Sequence, residues 1–471
     1  MSDFKLYMTS IRQSWVVMYI KAALAGLIAN AAFHPIAFWP AIFVGIGWLY
    51  SLNRNQTVKK RIAINLVFGL GYQIYSLYWV GTYVGWYAWL ALVVMQASFF
   101  VVLSFATSAL AFACSWIAFE FILRTFPFGG FGWNRIGFAL TDSPLNYFYP
   151  RIGIVGIAFL VVLAVALLVD RKFKEVITTG TLLLVISLIP VSVENIGSIK
   201  VALIQGGQSE KLDNTFENAE AAISKHFVAM KKVPSESVDL VIWPENAVMH
   251  DPYARVTTRD AFNAEVTRIK APILVNANLN DGTNGSVLFG DSKNQSYSKR
   301  YLTPFGEFIP FRTLVEKINS KAKKISGYIP GTEPYLFRTE NGTFRTLICY
   351  ELLSDKQART EMADTDFIVT QTNNATYFQT WQLEQELAIA KARSAETSRH
   401  SAYVSTTGGT SLIDERGQIE KTIPKYENQI LIGEVSTRTG STPATKFGSL
   451  IEYLILALGL TLLVSRRTFG R

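Results

Sequence analysis

Between Ile62 and Phe119 the chain carries no Asp, Glu, Lys, Arg or His, a run of 58 residues. An apolar run of 18 or more residues already reads as a membrane span, so this stretch predicts at least two. Only 17% of the 471 residues are charged, against about 25% in typical soluble domains. The shortfall is concentrated in the first 200 residues and the last twenty. The pattern predicts eight spans, at about 15–33, 36–52, 62–81, 87–105, 107–124, 152–169, 176–193 and 449–465. It divides the chain into a multi-span α-helical membrane domain (1–197, about seven helices), a domain of ordinary soluble composition (198–447), and a last helix with a basic tail (448–471).

Basic loops orient such helices, because Lys and Arg stay on the cytoplasmic side. Arg54, Lys59, Lys60 and Arg61 follow the second span; Arg171, Lys172 and Lys174 follow the sixth together with Asp170; Arg466, Arg467 and Arg471 follow the last. Gly81 to Trp86, after the third span, carry no charge. Both termini are therefore expected in the cytoplasm and residues 198–447 across the membrane, in the periplasm of a Gram-negative cell. Much of the net charge of +9 flanks apolar segments, where it serves to orient a membrane protein rather than to bind nucleic acid. The first apolar run leads straight into others, so no cleavable signal peptide is expected.

Two cysteines, Cys114 and Cys349, offer no disulfide framework, since Cys114 falls within an apolar helix. The four histidines are scattered, with no metal-binding spacing and no sign of a metal or other cofactor. From residue 198 the period changes. IKVALIQG (199–206), VDLVIW (238–243), APILVNANL, FRTLIC, DFIVTQT and SAYVST are buried-strand runs, and 216–231, 257–269 and 384–398 read as helices. Strands alternating with helices imply an α/β domain.

Three stretches there put a reactive side chain where a strand ends: Glu245 in VIWPENAV, Lys299 and Glu307 in SYSKRYLTPFGEFIP, and Cys349 in RTLICYELLS. A nucleophile on a strand-to-helix turn is exposed to substrate. A thiol with a pKa of about 8.5 needs a base to attack an acyl carbonyl. No histidine stands in a comparable place, but a carboxylate desolvated between apolar residues can serve. A lysine ammonium beside it would stabilise thiolate and oxyanion. Taken singly, Cys349 reads as a buried structural thiol, Glu245 as a helix N-terminal carboxylate and Lys299 as a solvated loop lysine. The ordered set is far more specific.

The order Glu–Lys–Cys, with Trp243-Pro244-Glu245, Lys299 through Glu307 as K-x-x-L-x-P-F-G-E, and Cys349-Tyr350-Glu351, resembles the nitrilase (carbon–nitrogen hydrolase) superfamily. With the spans added, the whole chain resembles its membrane-bound branch, the apolipoprotein N-acyltransferase family. ARSAETSRHSAYVSTTGGTSLIDERGQI and GGFGWNRIGFALTDSPL (129–145) extend the likeness. The resemblance implies an αββα sandwich and a catalytic triad of Glu245, Lys299 and Cys349, with Glu307, Tyr350 and Glu351 in support. It also implies a reaction needing no cofactor. An acyl chain would pass from a phospholipid to a Cys349 thioester, and then to the α-amine of a diacylglyceryl-modified cysteine on a lipoprotein at the bacterial inner membrane. Two places depart from the family: NNATYF (373–378) stands for N-D-A-W-F-G, and GGQSEKLDNTF lacks a tryptophan. Both bear on the acceptor. They keep open a divergent, conjugal-transfer-like relative with another amine acceptor or an amidase activity. The intact Glu–Lys–Cys set argues against a third reading, a non-enzymatic membrane protein. Two apolar stretches are expected to flank the entry for lipid: Phe308, Ile309 and Phe311 past Lys299, and Phe131 and Trp133 after the fifth span.

Overall fold

The computed structural model describes residues 2–207, 216–318, 323, 327–377 and 379–469. Residues 208–215 of GGQSEKLDNTF, Phe378 of NNATYF and Arg471 of the basic tail lie outside the described residues. The chain divides into two compact units, Met1–Pro190 with Phe447–Arg471, and Val191–Lys446.

The first unit is helical: α1 (Ser2–Asn30), α2 (Ala41–Asn53), α3 (Val58–Ile74), α4 (Tyr78–Tyr83), α5 (Trp86–Phe99, prolonged by a 3₁₀ segment Phe100–Phe105), α6 (Ala109–Thr125), α7 (Tyr149–Val169) and α8 (Phe173–Ser187), with the closing helix α14 (Pro443–Phe469). Among the described residues, three stretches are long and apolar enough to cross a membrane: Trp86–Phe105, Pro144–Val169 and Pro443–Ser465. Trp15–Asn30 and Ala41–Asn53 are shorter apolar helices. The expected eight spans thus include shorter and broken pieces, for identifiable reasons. Pro35 and Pro40 delay the second helix to Ala41, because proline cannot continue a helix and unsettles the residue before it. The span expected at 62–81 breaks after Ile74 and resumes as the six-residue α4. The span expected at 176–193 stops at Ser187, ahead of Pro190, and a strand has begun by Ser192.

Small and polar residues hold this unit together. Gly26 of α1 and Gly71 of α3 mark a close crossing, where a Cβ would meet Phe68 O at 2.2 Å and Ala23 O at 2.4 Å respectively. Such small-residue contacts are how apolar helices approach without a hydrophobic drive. Asn65 of α3 bonds Asn53 and Ser104, and Asn134 donates to Gln73 and Ser76, all buried.

The second unit is a sandwich. Its strands are β1 (Ser192–Gln205), β2 (Leu240–Ile242), β3 (Ile273–Asn278), β4 (Asn284–Phe289), β5 (Ser296–Ser298), β6 (Phe337–Thr339), β7 (Gly342–Ile348), β8 (Phe367–Thr372), β9 (Ser401–Ser405), β10 (Ser411–Ile413), β11 (Ile419–Thr422) and β12 (Gln429–Ser441). Among the described residues they form two six-stranded sheets, in the orders β12-β1-β2-β3-β4-β5 and β11-β10-β9-β8-β7-β6. At the centre of each sheet three strands run parallel, β1-β2-β3 and β7-β8-β9. Strands buried on both faces need continuous apolar runs, and side chains alternate between the two faces. Ile199, Val201 and Leu203 of β1 accordingly face the inter-sheet core with Phe344, Ile348, Phe367 and Val369. Ala202 and Ile204 face the opposite way, with residues of α9 (Phe216–Met230) and α10 (Val256–Ile269) such as Ile223 and Phe262. The second sheet carries α13 (Gln382–Thr397) on its outer face, held by Thr372 and Tyr403 hydroxyls on Glu386. The short helices α11 (Arg312–Ile318) and α12 (Asp355–Arg359) lie in connections. Helix, sheet, sheet, helix is the expected αββα order.

Candidate active site

The three residues come together past the strand ends of the two sheets. Glu245 lies three residues past β2 and Lys299 follows β5, both in the first sheet; Cys349 follows β7 in the second. Lys299 and Glu245 are buried at 1% and 3% exposure, so their charges must be satisfied by neighbours. Lys299 Nζ donates at 2.9 Å to Glu245 Oε1 and at 2.9 Å to Glu307 Oε1. Asn284 Nδ2 bridges the same two oxygens at 3.0 and 2.9 Å. Asn276 Nδ2 donates at 2.9 Å to Asn284 Oδ1, which fixes the orientation of that amide.

The two carboxylates then differ. Glu245 Oε2 accepts from Asn373 N at 3.0 Å, and Glu307 Oε2 from Thr303 N at 2.7 Å. Burial pushes the Glu245 carboxyl above its usual range; Lys299 opposes this and the Glu307 charge adds to it. Burial acts on Glu307 as well, but Lys299 and the Thr303 N–H outweigh it and hold Glu307 below the usual range. Burial alone would lower the Lys299 ammonium, yet the two glutamates keep it well above its ordinary value. The surroundings therefore favour the charged forms of Lys299 and Glu307, and of the two carboxyls it is Glu245 whose affinity for a proton is raised.

Cys349 opens a short 3₁₀ turn, Cys349–Leu353, with a backbone φ of +47°. A non-glycine residue in that region is strained, and such strain collects at functional sites. The side chain is half-buried against the inter-sheet core. Burial pushes the thiol well above its ordinary range, reinforced by Glu245 and Glu386 and opposed by Lys299. It rests as a thiol and needs a base at the moment of attack.

Glu351, fully buried, joins the two sheets here. It accepts from Ile348 N at 2.9 Å, just ahead of the cysteine, and from Arg300 N at 2.8 Å, just after the lysine. The Tyr297 hydroxyl donates to it at 2.6 Å. Gln371 of β8 is a second clamp, donating to Trp243 O at 2.7 Å and accepting from Ser286 and Thr346. Asn276, Asn284 and Gln371 were not singled out from the sequence, although an uncharged polar residue inside an otherwise apolar buried strand was the available signal. Tyr350 is buried beside the nucleophile, and burial raises its hydroxyl pKa.

The segment after Lys299 turns back so that Glu307 reaches the lysine. Phe305 N bonds Phe308 O at 2.8 Å and Tyr328 N bonds Glu307 O at 2.8 Å. Gly331 N donates to Lys299 O at 2.8 Å, and a Cβ on Gly331 would meet Ser298 O at 2.2 Å. Phe311 is 71% exposed, while Phe308 and Ile309 are half-buried. In the helical unit Phe131 is half-buried and Trp133 buried, stacked on Phe131 at 5.5 Å and packed on Trp79 at 5.0 Å. Phe126 and Phe128 are the exposed aromatics of that stretch.

Residues 200–444, more than half of the chain, match the carbon-nitrogen hydrolase family. The chain belongs to that family. Residues 25–167 match the apolipoprotein N-acyltransferase N-terminal domain, so it is a member that carries a membrane-helix domain of that type. It is similar over nearly its whole length to curated apolipoprotein N-acyltransferases. It is 24% identical to that of Haemophilus influenzae over 94% of this chain and 94% of that protein. It is 26% identical to that of Pasteurella multocida over 96% and 97%. Among solved structures, a CN-hydrolase superfamily protein from Xanthomonas campestris is 17% identical with a TM-score of 0.40, covering 56% of this chain and 97% of that one.

Proposed function

We propose that this chain is an apolipoprotein N-acyltransferase of the bacterial inner membrane. The observation that carries the reading is the Lys299 ammonium clamped between Glu245 and Glu307, beside a cysteine on a strained turn, in a chain whose full-length relatives bear that name. In the first half-reaction Glu245 takes the thiol proton, and the Cys349 sulfur attacks an ester carbonyl of a phospholipid. Lys299 stabilises the oxyanion, an effect worth about 10²–10³ in rate for one well-placed donor. The ester C–O bond breaks, Glu245 returns the proton to the leaving lysophospholipid oxygen, and a thioester remains. In the second half-reaction the α-amine of a diacylglyceryl-modified lipoprotein cysteine attacks that thioester. An amide forms, the C–S bond breaks and the thiol is regenerated. A thioester is reactive enough towards an amine to need no ATP.

Lipid entry is assigned to the segment around Phe308, Ile309 and Phe311, and to the aromatic stretch containing Phe131 and Trp133. Residues 198–447 are assigned to the periplasm and both termini to the cytoplasm. The test is a phospholipid with a labelled acyl chain given to the full-length protein in lipid–detergent micelles. A hydroxylamine-sensitive adduct is expected on Cys349, absent in Cys349→Ala, together with N-acylation of a lipoprotein N-terminus by mass spectrometry. Labelled amide formed at wild-type rate by Cys349→Ala sinks the mechanism. Small-amide hydrolysis without an acyl adduct from lipid would favour the amidase reading.

A further inference from the structure

The surroundings of Cys349 hold one carboxylate more than this chemistry uses. Glu386, on α13, is 1% exposed. Thr372 Oγ1 approaches its two oxygens at 2.9 and 3.0 Å, Asn374 Nδ2 and Gln382 Nε2 donate to Oε2 at 2.5 and 3.1 Å, and the Tyr403 hydroxyl lies 3.4 Å from that oxygen. All four donors are neutral. Arg393, on the same helix, is committed to Asp355 and Glu396. A buried carboxylate held by neutral donors is costly, and where such groups occur beside reactive side chains they have a use.

Its neighbourhood follows from chain order: Ile348, the last residue of β7, pairs with Gln371 of β8, so Cys349, just past the end of β7, and Thr372 of β8 each follow a member of that pair. Thr372 holds Glu386, and the Glu386 charge acts on the thiol in the same sense as that of Glu245. Glu245 and Glu307 share the one ammonium of Lys299, and Glu386 adds a third carboxylate acting on the thiol. Even when Glu245 carries a proton, two carboxylates oppose one cation. Such a field works against the thiolate and the oxyanion of the first half-reaction. It favours positive charge arriving in the second.

We infer that Glu386 selects the acceptor, its negative charge favouring an amine over water as the nucleophile that empties the acyl-enzyme. The inference rests on the acyltransferase reading above. The amine nitrogen attacks the thioester carbonyl, a C–N bond forms, and the carbonyl π pair moves to oxygen. The nitrogen keeps its protons through this step and is cationic until one is lost. Water attacks while a base removes its proton and carries little positive charge. Glu245 then takes the ammonium proton, the oxygen pair returns, the C–S bond breaks, and Glu245 passes the proton to the leaving sulfur. Glu386 acts through its charge, lowering the energy of the ammonium centre of this zwitterionic intermediate in a poorly screened site.

The experiment loads full-length protein with a labelled acyl chain from phospholipid, then adds a diacylglyceryl-modified lipopeptide with a free α-amine. The readout is the ratio of labelled amide to labelled free fatty acid, which does not depend on the fraction of active protein. Glu386→Gln, which keeps the shape and removes the charge, should form the Cys349 adduct at least as fast as wild type. Its ratio should fall about 10- to 100-fold, the size expected for losing one nearby charge. An unchanged ratio overturns the inference. Should that variant be inactive, Glu386→Asp draws the charge back by one methylene; a lowered ratio supports the inference and an unchanged one overturns it. Wild type without any lipid-derived adduct would instead remove the acyltransferase reading, and this inference with it.

Discussion

Glu245 and Glu307 are the same chemical group and share the same two donors, Lys299 and Asn284, yet their surroundings drive them apart. Lys299 and the Thr303 N–H hold Glu307 below the usual carboxylate range, whereas burial raises Glu245 and the Glu307 charge adds to it. A pair of carboxylates with separated proton affinities marks which one does proton transfer. Glu245→Gln keeps the shape but cannot accept the thiol proton, and Lys299→Met keeps the stem but loses the charge. Each should lower kcat by about 10² or more with little change in KM, because both act in the transition state. Near-wild-type rates in both would make them structural. Cys114 is buried in α6, with its side chain against Gly459 of α14, and Cys114→Ala should be nearly silent in acyl transfer. The reactive side chains were legible because each closes an apolar strand with a recognisable motif. Asn284 was not: inside a strand its amide looks like a poor ladder residue, and its value appears only when the Lys299 segment folds over it.

At the scale of elements, the strands of the sandwich were easier to read than the membrane helices. A strand buried on both faces has to be apolar throughout, so IKVALIQG and DFIVTQT announce themselves. The charge-free run from Ile62 to Phe119 hides its breaks, because a turn between helices inside an apolar layer needs no charge. The α9 helix carries a testable pH dependence. His226 stacks on Trp243 with 5.2 Å between ring centres, and its Nδ1 sits 2.8 Å from Ala222 O. Burial lowers its pKa from 6.5 to about 4. The unfolded chain therefore takes up the proton first. The contribution is complete above pH 6.5 and is lost as pH falls towards about 4, at most about 3 kcal/mol. Thermal unfolding of wild type should lose Tm over that window more steeply than His226→Phe, which keeps the stacking and cannot titrate. Equal slopes would show that His226 contributes nothing to acid sensitivity. The segment after Lys299 allows a second test. Phe308→Asp with Phe311→Asp should cripple transfer from phospholipid in membranes while Cys349 keeps its reactivity towards a small water-soluble thiol reagent. Loss of both activities would indicate damaged folding, and loss of neither would place lipid entry elsewhere.

At the scale of the whole molecule, the basic loops that orient the helices in the sequence also meet one another in the fold of the helical unit. Arg54 Nε lies 3.4 Å from Asp170, its Nη1 donates to Val169 O at 3.1 Å, and the Tyr50 hydroxyl donates to Asp170 at 2.8 Å. Arg61 donates to Ala106 O, between α5 and α6. The turns near residues 54, 106 and 170 therefore share one end of the unit. The opposite end holds Tyr147 and Arg151 of the segment entering α7, which bond Ser187 O at 3.2 Å and Ile189 O at 3.1 Å. Residues 187–189 thus lie away from the basic turns. With Lys and Arg held in the cytoplasm, the chain should leave this unit at residue 190 on the periplasmic face. A reporter active only in the periplasm should be active when fused after residue 190 or 198, and silent when fused at 54–61 or 170–174. Activity at 170–174 would contradict the contact between the two basic turns, since one end of a helical unit cannot face both sides. The fully inverted pattern would put Glu245, Lys299 and Cys349 in the cytoplasm. It would then separate them from any acceptor displayed on the outer face of the membrane, and the lipoprotein substrate would have to be abandoned while the triad chemistry stood.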